Sequence, residues 1–364
     1  MIDTLTMQFN FYNIQNVEIY QKVKNNEIAG FHYIAKNFKE RKIISYCTGI
    51  PPFGVFYNAT FGYINVTVNP SLILQHYPVS DDYVAIENAC KKVIFEKLRI
   101  PKNYIKSITL HRIDFNVDYR ISSDEVREII YNLMNKAKEI LGKVVKTTFK
   151  TAITYLPYNG YVEVITYDKE MEQILKYSYE DYEYVENLDK FKGVFRTEVR
   201  IMNRKLNQNK RSEIWGLTKD LSNYLCENMK KYYWKQYAEK VWFTECFYRI
   251  DIAIKMIKQD DTLTEATKVK LIEVLKRINR SGFSKAREFY ALLKREKQIG
   301  NAKDRGATDE QLKAMENKRL SSQDFATFNN YIKRIRSLGI NPLTFDRKFK
   351  LEKIENFAKY KGGI

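Results

Sequence analysis

The sequence is poor in the residues that build zinc modules, disulfide frameworks and membrane anchors. Its 364 residues hold only four cysteines, Cys47, Cys90, Cys226 and Cys246. No two of them form a CxxC pair, so we expect buried thiols in place of a metal module or a disulfide framework. No uninterrupted apolar stretch is long enough to span a bilayer, and the first residues alternate like a strand where a signal peptide would be basic and then apolar. A cytoplasmic globular protein is the prediction.

Acidic residues are also in short supply relative to basic ones. Lys and Arg number 62 against 44 Asp and Glu, which gives a formal net charge of +18. Residues 261–364 hold 24 Lys and Arg against 13 Asp and Glu, so more than half of the excess lies in this last part. Such a charge predicts a polyanionic partner, and nucleic acid fits better than a membrane surface because no lipidation signal or basic amphipathic anchor is present.

The hydrophobic pattern changes along the chain from mixed strands and helices to helices alone. Strands are predicted at Thr4–Phe11, Gly30–Cys47, Ala59–Val68, Ser107–Asp118 and Val194–Met202. A further hairpin is predicted from Val144–Tyr155 and Tyr161–Tyr167 across Asn159-Gly160. Helices are predicted at Asp81–Leu98 and, after a capping box at Ser122 and Glu125, up to Gly142. From about Ser212 onward the periodicity is helical, with a capping box at Thr262 and helices near Glu265–Asn279, Lys285–Gln298 and Gln323–Leu338. The fold class is therefore α+β, with an antiparallel-sheet domain at 1–210 and a basic helical region at 211–364.

Two of the predicted strands carry charge on one face only. In the first, Arg112, Asp114, Asn116 and Asp118 alternate with apolar residues. In the second, Arg196, Glu198 and Arg200 do the same. Because side chains alternate along a strand, Asp114 and Glu198 point to the same side if the two strands share a sheet. Carboxylate oxygens suit Mg²⁺ or Mn²⁺, and arginines hold phosphate, although the same pattern is typical of a half-solvated antiparallel strand.

A tyrosine follows at the junction of the second hairpin strand with a short helix, in the run Tyr167-Asp168-Lys169-Glu170-Met171-Glu172. A phenolic oxygen is a weak nucleophile at its free pKa and needs a polarised phosphate, a base or a cation beside it. Lys169 and Glu172 could supply the last two. The alternative for these two residues is an exposed helix pair of small energetic consequence, and composition does not choose one tyrosine among 27.

Several motifs, in order along most of the chain, make the sequence resemble the replication initiators of filamentous phages, the gene II and gene X type. They are MIDTLTMQF, INVTVNPSLILQ, HRIDF, VITYDKEME, GVFRTEVRIMNRKL, AREFYALLKR and FNNYIKRIRSLGINPL. The resemblance implies an HUH-endonuclease-like fold and a rolling-circle initiator. Such an enzyme nicks one strand at an origin, forms a covalent tyrosyl link to the 5′ phosphate, leaves a 3′ hydroxyl for the host polymerase and later rejoins the strand. The implied partners are origin DNA, single-stranded or supercoiled, and the helicase and polymerase of a bacterial host.

Carried over residue by residue, the resemblance makes Tyr167 the nucleophile, with Lys169 and Glu172 at the polar positions that follow it. Asp114 and Glu198 match acidic positions of the two charged strands, and their role as ligands of Mg²⁺ or Mn²⁺ is our inference from chemistry. The sequence departs from the wider HUH group because His32, His76 and His111 form no His-x-His pair. Strand parity points His111 away from Asp114, unless a bulge lies between them. Asp118 is a further candidate ligand.

The basic residues fall into two candidate groups for phosphate contacts. Arg112, Arg196 and Arg200 lie on the charged strands, and Lys333, Arg334 and Arg336 lie on the last predicted helix. The alternative for that helix is a solvated basic face, with its aromatic residues in the core.

Two other functions would also account for the net positive charge. One is an origin-binding protein or transcriptional regulator without enzymatic activity, and the other is a metal nuclease that uses water in place of a tyrosine.

Overall fold

In the computed structural model, strands from the first two hundred residues form a single antiparallel sheet, and helices cover one of its faces. The structure describes residues 2–28, 32–38, 41–50, 53–76, 78–137, 144–149, 152–155, 161–177, 188–211 and 218–360. Within these ranges the α+β fold class is as expected from the sequence.

Ten strands of the described residues build the large sheet. They are β1 (Ile2–Phe11), β2 (His32–Phe38), β3 (Arg41–Ile50), β4 (Phe53–Asn58), β5 (Tyr63–Val68), β6 (Ile105–Arg120), β7 (Val144–Phe149), β8 (Ala152–Tyr155), β9 (Val162–Asp168) and β10 (Val194–Met202). Their order is β2-β3-β4-β5-β1-β6-β10-β9-β8-β7. The two charged strands, β6 and β10, are therefore direct neighbours at the centre.

The helices lie mostly in the second half of the chain. They are α1 (Asn13–Lys24), α2 (Pro70–Leu74), α3 (Tyr83–Lys92), α4 (Asp124–Lys136), α5 (Lys169–Tyr177), α6 (Leu188–Phe191), α7 (Asn203–Arg211), α8 (Leu221–Tyr224), α9 (Glu227–Tyr233), α10 (Glu239–Trp242), α11 (Ile250–Gln259), α12 (Glu265–Ser281), α13 (Phe283–Asp304), α14 (Asp309–Asn317) and α15 (Ala326–Ser337). Short strands β11 (Phe247–Tyr248) and β12 (Lys353–Ile354) pair with each other. None of these helices combines the length and the apolar character needed to cross a bilayer, as far as the described residues go.

The core lies between the apolar face of the sheet and the helices. Alternate residues of the central strands, such as Phe9, Phe115 and Val199, are fully buried there. Helix α4 packs on this face through a 5.5 Å edge contact of the Tyr131 ring with the Phe195 ring. Burying apolar area at about 25 cal/mol per Å² is the main force that holds the layers together.

The helical second half covers the same face of the sheet. The Tyr233 ring stacks on Phe115 at 6.1 Å, and the indole N–H of Trp242 donates a 2.9 Å hydrogen bond to the hydroxyl of Thr166. At the edge of this contact the Lys136 ammonium donates to Asn279 (2.6 Å) and pairs with Asp346 (2.7 Å). Both a buried apolar surface and a polar network therefore join the predicted parts 1–210 and 211–364.

Several predicted elements differ in their boundaries. The predicted strand Gly30–Cys47 is two strands, β2 and β3, and Val144–Tyr155 is also two, β7 and β8. Strand β8 pairs with β9 as the hairpin prediction requires, but the turn at 156–160 lies outside the described residues, as does the end of the helix predicted up to Gly142. The predicted helix Lys285–Gln298 extends as α13 to Asp304, and α14 was not predicted.

Two helices have a different N-cap residue from the one predicted. The N-cap of α4 is Ser123, whose hydroxyl accepts from the Val126 amide, and the N-cap of α12 is Thr264, which accepts from the Thr267 amide. The cysteine prediction is confirmed for Cys90, which is free and buried, while the free Cys226 and Cys246 are only half-buried.

Candidate active site

The antiparallel register of β6 and β10 brings the two charged faces together. Arg196 lies opposite Asp118, Glu198 opposite Asn116, and Arg200 opposite Asp114. Partners in an antiparallel pair point to the same side of the sheet. The prediction that Asp114 and Glu198 share one side is therefore confirmed.

Three arginines bind the carboxylates of this face. Arg112 donates through Nε to Asp114 Oδ1 at 2.8 Å, and a second nitrogen contacts Oδ2. Arg200 joins the two acidic strands, since its nitrogens lie 3.1 Å from Asp114 Oδ2 and 3.6 Å from Glu198 Oε2. A third nitrogen of Arg200 pairs with Glu163 on β9 at 2.8 Å. The predicted phosphate-binding residues Arg112 and Arg200 thus stand beside the predicted metal ligands.

Arg196 holds the opposite end of the face. It forms a bidentate pair with Asp118, with both nitrogen–oxygen distances at 2.7 Å, and it also contacts Asp3 on β1. Burial alone would lower the pKa of Arg196, but Asp118 and Asp3 outweigh burial and raise that pKa. Arg196 is therefore permanently charged, and Asp118 is engaged by a guanidinium.

Tyr167 lies at the end of β9, directly opposite Arg196. Its hydroxyl donates a 2.6 Å hydrogen bond to Glu198 Oε1, and the Lys169 ammonium is 3.5 Å from the same hydroxyl. The side chain is only 8% exposed. Burial, together with the adjacent Glu198 carboxylate, raises the pKa of Tyr167 well above its usual value. The hydroxyl therefore keeps its proton until a base removes it.

Glu198 is the carboxylate best placed to be that base. Burial raises the pKa of Glu198 to about 7, and the nearby charges of Asp3 and Asp114 act in the same direction. A carboxyl group with a pKa near the working pH can exist in both protonation states, which is what a general base requires.

Lys169 and Glu172 contact each other in the first turn of α5. Their ion pair measures 2.8 Å, and Lys169 also stands 5.4 Å from the centre of the Tyr167 ring. The Tyr167 hydroxyl donates to Glu198 and not to Glu172, so among the described residues Glu198 takes the position beside the hydroxyl that the sequence suggested for Glu172. Lys169 is the residue of this pair that reaches the tyrosine.

The junction between β9 and α5 is fixed by Asp168. Its carboxylate caps the helix by accepting from the Met171 amide at 3.1 Å, and it accepts from the Tyr131 hydroxyl at 2.7 Å. Arg127 approaches the same carboxylate at 3.3 Å. Asp168 points to the helix-covered face while its neighbour Tyr167 points to the charged face, so α4 holds the tyrosine's backbone in place.

The acidic residues have the chemistry of a hard-cation site but not its arrangement. Carboxylate oxygens are preferred ligands of Mg²⁺ and Mn²⁺. Here both oxygens of Asp114 accept from arginines, and Glu198 accepts from Tyr167. In the part of the chain that the structure describes, no group of three or more His, Cys, Asp or Glu side chains could hold a metal ion. The metal assignment of Asp114 and Glu198 stays a prediction.

His111 occupies a bulge in β6. The register with β1 shifts between Thr6–Arg112 and Met7–Leu110, so His111 is the extra residue. Its Nδ1 lies 3.2 Å from Gln8 Oε1, on the polar side of β1. Burial, and then the charges of Lys219 and Arg112, lower the pKa of His111 to about 4. The parity argument that turned His111 to the apolar side is wrong because of this bulge, and the histidine is neutral at physiological pH.

The three basic residues of α15 differ from one another. Lys333 and Arg334 are exposed, whereas Arg336 pairs with Glu245 at 2.9 Å and lies 5.2 Å from the Phe243 ring centre. Phe328 is fully buried, as its helical spacing indicated. Only Lys333 and Arg334 present their charge to solvent.

Sequence reasoning missed three residues that complete the face and its support, Asp3, Glu163 and Asp168. Glu163 could have been found from its strand parity, which it shares with Tyr167. Asp168 could have been found as a preferred N-cap residue type directly before a helix. No sequence feature identifies Asp3, because its place beside Arg196 depends on the pairing of strands that are far apart in sequence.

Comparison with known protein families and with curated proteins finds no match to this chain.

Proposed function

We propose that this protein is a rolling-circle replication initiator that nicks one DNA strand by attack of Tyr167. The observation that carries the proposal is the 2.6 Å hydrogen bond from the Tyr167 hydroxyl to Glu198, on a sheet face that also presents three arginines. A nucleophile, a base and phosphate-binding groups are the parts that such a reaction needs. The ordered motif resemblance and the net charge of +18 support DNA as the substrate.

The covalent step follows from these contacts. The Tyr167 oxygen attacks the scissile phosphorus while its proton passes to Glu198. The new bond joins the phenolic oxygen to the 5′ phosphate, the bond from phosphorus to the 3′ oxygen breaks, and the leaving oxygen takes a proton from water to become the 3′ hydroxyl. Lys169 stabilises the developing phenolate. Arg112, Arg196 and Arg200 would exchange carboxylate partners for the phosphate oxygens when DNA binds. Rejoining reverses these steps.

The remaining parts of the proposal come from the resemblance and from the donor chemistry. The antiparallel sheet would be an HUH-like nuclease domain acting on origin DNA in the cytoplasm of a bacterial host, with that host's helicase and polymerase as partners. Asp114 and Glu198 would hold Mg²⁺ or Mn²⁺, which would polarise the phosphodiester. In the arrangement described, the same carboxylates are held by arginines, so the step above relies on protein groups.

The test is the fate of the cut end. Wild-type protein and Tyr167→Phe are incubated with a supercoiled plasmid that carries the replicon's origin, and the products are denatured before electrophoresis. Wild type should give a nicked circle with protein attached to the 5′ phosphate, and Tyr167→Phe should lose this species by about 10³-fold or more. Tyr119→Phe is the matched control, since Tyr119 lies on β6, two strands away from β9, and on the opposite face of the sheet. Normal nicking by Tyr167→Phe would overturn the mechanism and favour a nuclease that uses water.

The 8% exposure of Tyr167 favours a second candidate, an origin-binding protein without nicking activity. In that case the arginine–carboxylate pairs only stabilise the sheet face, and the basic helices bind duplex DNA. Wild-type protein would then retard origin DNA in a gel and leave no covalent adduct at any metal concentration.

A further inference from the structure

A second tyrosine, Tyr161, directly precedes β9, at the end of the strand away from Tyr167. The alternation of β9, continued back by one residue, assigns Tyr161 to the side of Glu163 and Tyr167. Its carbonyl accepts from the Met202 amide at 3.0 Å, which ties it to the end of β10. At about 3.3 Å per residue, Tyr161 stands about 20 Å from Tyr167.

Helix α7 completes a small cleft around this tyrosine. Arg204, Asn207 and Gln208 have i, i+3, i+4 spacing and so share one helix face. Together with Tyr161 they line a cleft of about 260 Å³, with the Arg204 guanidinium 5.8 Å from the ring centre. This volume is below the ~300–1,000 Å³ of pockets for drug-sized ligands, so the cleft suits one small planar group.

The side chains of the cleft match the chemistry of a nucleobase. An aromatic ring offers a stacking surface to any base. A guanidinium can donate to a base edge, and a carboxamide can both donate to it and accept from it. A stacked strand rises about 3.4 Å per nucleotide, so about six nucleotides or fewer would span the 20 Å.

We propose that this cleft binds one unpaired base of the single DNA strand whose phosphate lies at Tyr167. The assignment deepens the proposed function and rests on it. The base would stack on Tyr161, and Arg204, Asn207 and Gln208 would contact its edge. This contact would fix the position of the strand relative to Tyr167 and select the site of cutting.

The experiment measures binding and not cleavage. The probes are a fluorescein-labelled single-stranded DNA of mixed sequence, about 20 nucleotides long, and an abasic strand of equal length, both titrated in EDTA and followed by anisotropy. Wild type should prefer the strand with bases. Tyr161→Ala should raise the Kd for that strand by about five- to a hundred-fold with little change for the abasic strand, while Tyr161→Phe keeps the preference. Tyr12→Ala, at an exposed tyrosine remote from the cleft, is the control.

Other outcomes would overturn the proposal. Wild-type affinity of Tyr161→Ala, or an equal loss for both strands, would show that the ring does not bind a base. If Tyr161→Ala does not fold, Arg204→Ala decides, because Arg204 is exposed on a helix and its loss should reduce the preference for bases. Because binding is read in EDTA, normal nicking by Tyr167→Phe would refute the tyrosine mechanism and leave this result unchanged.

Discussion

The effect of replacing Glu198 by glutamine on the free energy of unfolding, relative to wild type, should be more favourable at pH 8 than at pH 5. The carboxyl group is 3% exposed, and burial raises its pKa from 4.5 to about 7. Between pH 4.5 and about pH 7 the folded protein keeps a proton on Glu198 that the unfolded protein has released. The stability contributed by this proton is fully present below pH 4.5, falls as the pH rises towards 7 and is absent above it.

The magnitude follows from the two pKa values. Raising the pKa of Glu198 from 4.5 to about 7 corresponds to about 3 kcal/mol over the whole window, most of which falls between pH 5 and pH 8. Glutamine does not titrate but keeps an oxygen that can accept from Tyr167. The free energy of unfolding of Glu198→Gln, relative to wild type, should therefore be roughly 2–3 kcal/mol more favourable at pH 8 than at pH 5.

Urea unfolding of both proteins at the two pH values measures this double difference, in which any effect that does not depend on pH cancels. Glu310→Gln, at an exposed position in the first turn of α14, is the control and should follow wild type at both pH values. A gap between Glu198→Gln and wild type that is equal at pH 5 and pH 8 would refute the assignment of Glu198 as a carboxyl group with a raised pKa.

Two further substitutions test the caps and the basic helix. Ser123→Ala should lower the free energy of unfolding by about 1 kcal/mol, because the Ser123 hydroxyl caps α4. The control Ser122→Ala should leave the free energy of unfolding unchanged. Equal effects of the two substitutions in thermal melts would contradict the cap assignment. Lys333→Ala with Arg334→Ala should reduce the slope of log K against log salt for DNA binding by about 2, while Arg336→Ala, whose charge is paired with Glu245, should leave the slope unchanged. An unchanged slope in the double variant would remove these residues from the DNA interface.

The charged sheet face could be predicted from sequence as far as strand periodicity reaches. Alternation at Arg112, Asp114, Glu198 and Arg200 placed each side chain on the correct face, because one face of each strand is buried and fixes the register. The ion pair of Arg200 with Asp114 could not be predicted, since it joins residues 86 positions apart and depends on the pairing of β6 with β10. The choice of Tyr167 came from the motif resemblance, because neither burial nor periodicity separates it from other strand tyrosines.

The errors have local physical causes. His111 lies in a β-bulge, where one extra residue changes which face of the sheet the following side chains point to. The hydrophobic pattern of the sequence does not show this bulge. Adjacent serines precede α4, and both are good N-cap residues, so only the backbone geometry selects Ser123. Gly300 lies exposed within the 22-residue helix α13, because one glycine costs a helix only about 1 kcal/mol relative to alanine.

The hydrogen bond from Trp242 to Thr166 shows why the two predicted parts of the chain should not be stable as separate fragments. Thr166 precedes Tyr167 on β9 and faces the helices, so the strand that carries the tyrosine is anchored on its other side by residues from beyond the predicted boundary at 210. A fragment ending there would remove Tyr233 from Phe115, expose this apolar ring to water and leave the Thr166 hydroxyl without the Trp242 indole. Separately produced halves should therefore aggregate, and the tyrosine's position depends on the intact chain.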